Sequence, residues 1–244
     1  MKPALSEKDS NSPSQWLQLG QGDALSQRIS ELLSPWWQKI FGYYFLKVGD
    51  LSCQINTDDC KVQQQIHLGQ FADNIAVRAA ADALPVRENS VDAILLAHCL
   101  EFVSDPHHVV REAHRVLMPD GYLILTAVNP FSLVGVFSLA PWLKQQYPWR
   151  GRFFSASRVK DWLHLVGFEV VSERRFFCST MLGKEHSQGA WQQWAERYLS
   201  FFGASYMLVA RKRQWPLTPI RPKWQLSPGY NADVKGVSAR QGAR

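Results

Sequence analysis

Hydrophobic positions along this chain change their spacing several times, and each change predicts an element. Residues 1 to about 24 are polar and without period, which predicts a loose start. Leu25, Ile29, Leu32, Leu33, Trp36 and Ile40 then recur at helical spacing, and Ser34-Pro35 reads as an N-cap with proline at the first helical position, so two short helices are expected. "YYFLKVG" is a short apolar strand; "VQQQIHLG" and "NIAVRAA" are two weaker ones. "VDAILLAHCL" is almost continuously apolar, the pattern of a strand buried on both faces of a parallel sheet.

The second half repeats the alternation. Asp105-Pro106 caps a helix whose Val109, Val110, Ala113, Val116 and Leu117 form one apolar stripe. "PDG" ends that helix and "YLILTAV" returns to the sheet. Val159, Trp162, Leu163 and Val166 stand at helical spacing before a C-capping Gly167. "FEVVSERRFF" and "SYMLVARKR" are the last strands, with an inserted helix between Cys178 and Phe202 carrying Trp191, Trp194 and Tyr198. Strand and helix alternate, so the class is α/β with a mostly parallel sheet.

Composition changes this picture little. A chain of 244 residues, 46% hydrophobic and 20% charged, suits one globular core with extensions. The net charge of +6 is local: from Arg211 onward there are 8 basic residues and one acid, Asp233, which leaves 19 basic and 20 acidic residues in the body. A solvated, disordered end over 214–244 explains that excess better than a nucleic-acid arm does. The four cysteines form no C-x-x-C pair, and no apolar signal core follows the opening lysine, so a reducing cytoplasm is the expected compartment. Gly121 to Leu143 carries no charge, but Asn129-Pro130, Gly135 and Pro141 interrupt it. It reads as a buried strand and an apolar helix rather than a transmembrane segment, with membrane-surface contact as the lesser reading.

The block "DALPVRENSVDAILLAHCLEFVSDPHHVVREAHRVLMPDGYLILTAVNP" resembles class I S-adenosylmethionine-dependent methyltransferases of the type 11 methyltransferase-domain group. The matching pieces are Leu84-Pro85, Val91-Asp92, His98 to Phe102, Asp105-Pro106, Arg115-Val116-Leu117 and Pro119-Asp120-Gly121. "SRVKDWLHLVGFEVV" is similar to the helix before that family's sixth strand, and "YMLVARKR" to its antiparallel last strand, so the resemblance runs from about Phe45 to Arg213. It implies a Rossmann-like, doubly wound sheet over 25–213 with a helical preface at 25–41, S-adenosyl-L-methionine as cofactor, and an unidentified small or lipid-like methyl acceptor. The protein's share of such a reaction is mainly positioning, with a base where the nucleophile must lose a proton.

The family's first motif is an acid followed by glycines at alternate positions. Here Lys47 holds the acid's place, and Gly49 is the one glycine kept, followed by Asp50-Leu51-Ser52. The adenine-side acid's place is Ala80, with Asp82 two residues on, and only 35 positions separate Gly49 from Leu84. Two helices of about 11 residues and two strands of about 5 do not fit there, so at least one crossover helix is expected to be missing or reduced to a turn.

By resemblance, Gly49, Asp50, Asp82, Ala83 and His98 are the cofactor-side candidates, and His98 and Glu101 the catalytic ones. Alone Gly49 is a weak signal, and placed before this block it reads equally as a cofactor-loop glycine and as a strand-end turn; His98 reads more readily as a histidine packed at a strand end, and Glu101 is either part of the same wall or the start of a loop. Asn129-Pro130-Phe131 partly matches an amino-methyltransferase motif and also fits a strand-terminating turn, the reading we favour. Trp142, Trp149, Phe153 and Phe154 could wall an apolar acceptor pocket, but such residues more often serve as core or lid packing. No metal is expected: neither His107 nor His108 stands i, i+4 to another histidine. No G-x-G-x-x-G follows a strand, against a nicotinamide enzyme. The departures from the first motif leave a rival, a non-catalytic methyltransferase-like scaffold for a partner.

Overall fold

A computed structural model of the chain describes residues 12–71, 75–138, 140–177, 181 and 203–214. Apart from Met181, the expected inserted helix at 178–202 lies outside the described residues, as do 1–11 and the basic segment from 215 on.

Seven strands form one sheet: β1 Tyr44–Val48, β2 Gln64–Gly69, β3 Val77–Arg78, β4 Val91–Ala97, β5 Leu117–Val128, β6 Phe168–Phe176 and β7 Ser205–Lys212, in the order β3-β2-β1-β4-β5-β7-β6. The β1–β2, β2–β3, β1–β4 and β4–β5 pairs are parallel, and β7 runs antiparallel to both β5 and β6. This is the expected α/β class, Rossmann-like, with an antiparallel last strand.

Two apolar layers flank the sheet. On one face α3 (Pro106–Val116) and α5 (Ala156–Val166) pack Val109, Val110, Ala113, Val116, Val159 and Leu163 against Leu46, Ile94, Leu96 and Leu125. Asp105 caps α3 by accepting from the amides of His107 (2.9 Å) and His108 (3.2 Å). Gly167, at φ 107°, ends α5 in the left-handed region that favours glycine. On the other face α1 (Gly22–Leu33) lays Leu25, Ile29 and Leu33 into a cluster with Phe45, Leu95 and Ile124. Fully burying each such side chain contributes about 1.5–3 kcal/mol.

Three local expectations are corrected. The second preface helix is only a 3-10 turn, Ser34–Trp36, because Ser34 continues the helical backbone of α1 instead of capping a new helix. "PDG" does not leave the sheet. Pairing steps from Val91↔Leu117 to Ala93↔Tyr122, so Pro119-Asp120-Gly121 bulges inside β5, with Asp120 at φ 64°. Gly121 to Leu143 gives a buried strand end, but then only the five-residue α4 (Leu133–Phe137) and a 3-10 turn, Pro141–Gln145. Among the described residues no helix is long and apolar enough to cross a membrane.

The short 49–84 segment has the expected consequence. Only α2 (Asp50–Cys53) stands between β1 and β2, and no described helix lies between β2 and β4. The layer is completed by other means. α1 covers the face over β1, and the loop before β4 is clamped by α3. Arg115 donates to the carbonyls of Val86 (2.9 Å) and Leu84 (3.0 Å) and forks onto Glu112 through Nε and Nη2, both at 2.9 Å. Glu112 also accepts from the amide of Leu84 at 3.2 Å. The hydrogen bond from Arg115 holds the Glu112 carboxyl below the usual carboxylate range.

Arg115→Ala is expected to destabilise the chain by about 1–2 kcal/mol in urea unfolding at neutral pH, the lower part of the charged hydrogen-bond range because the site is partly solvated. The Glu112 pKa is depressed on folding, so its contribution is complete above the ordinary carboxylate range and fades as pH falls through the folded-state value. Wild type and Glu112→Gln should therefore converge in stability on acidification. A difference that stays constant or grows as pH falls contradicts the clamp.

Candidate active site

Parallel strands direct their carboxyl ends to one edge of the sheet, and a crevice opens there. Its cavity is about 270 Å³, lined by Gly49 and Asp50 after β1, Gly69, Gln70 and Phe71 at and after β2, Ala79 to Asp82 after β3, Cys99, Phe102 and Val103 after β4, and Ser12 from the N-terminal segment. Four successive strand ends thus contribute one short loop each.

The chain leaves β1 through Gly49 at φ 92°, where a side chain would be strained. α2 starts at once and buries Asp50, Leu51, Ser52 and Cys53. Asp50 Oδ1 accepts from the amides of Gln70 (2.8 Å) and Phe71 (3.0 Å), tying the end of β2 to the end of β1. Gly69 allows this, since a Cβ there would lie 2.4 Å from that oxygen. Lys47, in the acid's place, does not enter the crevice. Strand parity turns it to the other face, where its buried ammonium donates to the carbonyl of Ile55 at 2.9 Å and burial lowers its pKa.

Cys99 is held as a thiol. Burial first, then the nearby carboxylates of Glu101, Asp50 and Asp82, push its pKa up to about 12. Ala79, Ala80 and Ala81, with small side chains, and the aromatic Phe71 and Phe102 line the same cavity as Asp82.

His98 and Glu101 form a second, closed arrangement beside the first. β4 ends at Ala97, and His98 takes φ 47°, a left-handed turn uncommon outside glycine. Its Nδ1 lies 3.0 Å from Glu101 Oε1, and both side chains are essentially fully buried. The same Oε1 accepts from the Val128 amide at 2.8 Å, so it acts as an acceptor and Nδ1–H donates to it. Nε2 then presents its lone pair. Among the described residues His98 Nε2, Glu101 Oε2, Thr126 Oγ1 and Ser205 Oγ are buried without hydrogen-bond partners. The backbone joins them: the His98 amide donates to the Thr126 carbonyl, and Ser205 pairs with Val128. Trp16 packs its ring edge-on to His98, with the ring centroids 5.8 Å apart. It is fixed to α2 by its Nε1–H, which donates to the Leu51 carbonyl at 3.0 Å.

Of the candidates, Gly49, Asp50 and Asp82 share the crevice. Ala83 is exposed and outside the lining. His98 and Glu101 pair with each other one residue either side of the wall formed by Cys99 and Phe102. Trp149, with Nε1 donating to the Val134 carbonyl, and Phe154, against Trp162, are packing residues; Phe153 is half-buried and Trp142 is exposed. Asn129 closes β5 as a turn, its Oδ1 accepting from the Phe131 amide at 3.1 Å. His107 and His114 lie against Trp162 and Phe168. Ser12, Gly69, Gln70, Phe71, Ala79, Ala81, Cys99, Phe102 and Val103 were missed. The signal available was positional, since each except Ser12 ends or follows a strand that finishes at this edge.

Residues 50–125 match the methyltransferase domain family. The uncharacterized protein YafS of Escherichia coli is 35% identical over 218 residues, covering 89% of this chain and 88% of that protein. The ubiquinone/menaquinone biosynthesis C-methyltransferase UbiE of Hahella chejuensis is 43% identical over 56 residues, 22% of either chain. A solved S-adenosylmethionine-dependent methyltransferase from Archaeoglobus fulgidus superposes with TM-score 0.55 at 17% identity, over 78% of this chain and 94% of that one, and so shares its fold. With the strand order and the crevice at the ends of β1 to β4, these matches lead to one conclusion: the chain belongs to the class I S-adenosylmethionine-dependent methyltransferases.

Proposed function

We propose that this methyltransferase binds its cofactor in the Gly49–Asp82 crevice and methylates a small acceptor whose nucleophile loses its proton to His98. The observation that carries the reading is the buried His98–Glu101 pair with Nε2 unpartnered, one residue from the crevice wall. A histidine, its ring fixed by a carboxylate on Nδ1, is the arrangement a general base requires.

The residues fit the cofactor. Gly49 lets backbone approach, Phe71, Phe102 and the run Ala79 to Ala81 offer a flat apolar slot, and Asp82 offers a carboxylate to a hydroxyl or amine. Bound there, S-adenosyl-L-methionine would supply an electrophilic methyl group on a sulfonium that leaves as the neutral thioether S-adenosylhomocysteine. His98 Nε2 takes the acceptor's proton, and Glu101 stabilises the resulting imidazolium through Nδ1. Thr126 and Ser205 hydroxyls offer hydrogen bonds to the acceptor's polar atoms, which explains why they are buried without partners. Trp16 excludes water from this corner and has to swing aside for the acceptor, so the segment around Trp16 acts as a cover.

Two outcomes are expected. In calorimetry with S-adenosylhomocysteine, Asp82→Asn should weaken binding roughly 10- to 100-fold, the worth of a hydrogen bond to a charged group. No heat with wild type at millimolar ligand would remove the crevice reading and favour the scaffold. With methyl-tritiated S-adenosylmethionine and a cell-extract pool of small molecules, His98→Gln should transfer label at least ~100-fold more slowly than wild type. Its S-adenosylhomocysteine affinity should stay unchanged. Equal rates in the two proteins would sink the base.

A further inference from the structure

The segment after β5 carries a surface that methyl transfer does not require. Phe131, Leu133, Val136 and Trp142 are 58, 55, 59 and 76% exposed. Leu133 and Val136, three residues apart on α4, share its outer side, while Val134 and Gly135 are buried on the inner side. The segment is not loose. The Trp149 indole N–H donates to the Val134 carbonyl, the Val128 amide to the Glu101 carboxylate, and the Arg152 amide to the Glu101 carbonyl. The outward apolar side chains are therefore displayed by an anchored flap.

The charge along this stretch is one-sided. From Gly121 through Lys160 there is no acidic residue, while Lys144, Arg150, Arg152, Arg158 and Lys160 are basic. Lys144, two residues after Trp142, and Arg150, whose guanidinium lies over the Tyr147 ring, are exposed. Exposed apolar side chains including a tryptophan, bordered by cations and without acids, suit the boundary between anionic lipid headgroups and acyl chains. A five-residue helix cannot span a bilayer but can lie in its surface.

We infer that the flap of residues 131–150 docks this enzyme on an anionic bilayer surface, with Phe131, Leu133, Val136 and Trp142 entering the headgroup layer and Lys144 and Arg150 meeting lipid phosphates. The inference goes beyond methyl transfer and stands whether or not His98 is the base.

The test is co-sedimentation of the full chain with phosphatidylcholine vesicles, with and without about 30% phosphatidylglycerol. Wild type should partition onto the anionic vesicles. Leu133→Glu/Trp142→Glu should lose at least about tenfold of that partitioning, and Lys144→Gln and Arg150→Gln roughly fivefold each. All four positions are exposed, so melting temperature and S-adenosylhomocysteine binding should stay at wild-type values, which separates lost docking from a lost cofactor site. Failure of wild type to bind anionic vesicles would overturn the inference. So would unchanged partitioning of the double variant, which would assign binding to the basic residues beyond 213. Wild-type self-association abolished by Leu133→Glu/Trp142→Glu, without vesicle binding, would assign the surface to a second copy of the chain and also overturn it.

Discussion

One buried carboxylate shapes the reactive end of this sheet. Asp50 stands where the chain has just left β1, and its Oδ1 gathers the amides of Gln70 and Phe71 from the end of β2. That places a side chain where the wider family keeps its glycine-rich loop, and it forces neighbouring choices. Gly69 must lack a Cβ, while Gly49 takes a positive φ and α2 begins at Asp50 itself. A short connection between β1 and β2 thereby still leaves a lined cavity.

The same economy recurs across the domain. Where crossover helices are lost between β2 and β4, a preface helix covers one face, and the Arg115–Glu112 fork holds the loop that covers the other. Polar groups do structural work that longer helices would otherwise do. At the ends of β4 and β5 the balance reverses. Among the described residues, His98 Nε2, Glu101 Oε2, Thr126 Oγ1 and Ser205 Oγ are buried without hydrogen-bond partners, although burying polar groups unpaired is costly.

Legibility followed period length. β4, α3 and α5 carry enough apolar positions for their spacing to show, and Gly167 marked its boundary. β3, with two residues, carries no period at all, and the Pro119–Gly121 bulge could be known only once β5 was seen pairing on both sides of it. The Arg115 clamp spans 29 and 31 positions, and hydrogen bonds at that range leave no local trace. In the site, Gly49, Asp50 and Asp82 could be found because strand ends converge. Phe71 and Phe102 could not, because an aromatic residue near a strand end reads equally as packing. That His98 turns onto Glu101 depends on its left-handed backbone, which a histidine code does not announce.

The proposed chemistry requires the crevice between Gly49 and Asp82 to be a working cofactor site despite its missing glycines. The most direct measurement is a crystal structure grown with saturating S-adenosylhomocysteine. It should place the ligand against Gly49, Phe71 and Asp82, with Asp50 still bound to the amides of Gln70 and Phe71. Ligand bound elsewhere, or a crevice filled by the chain's own side chains at saturating ligand, would contradict it.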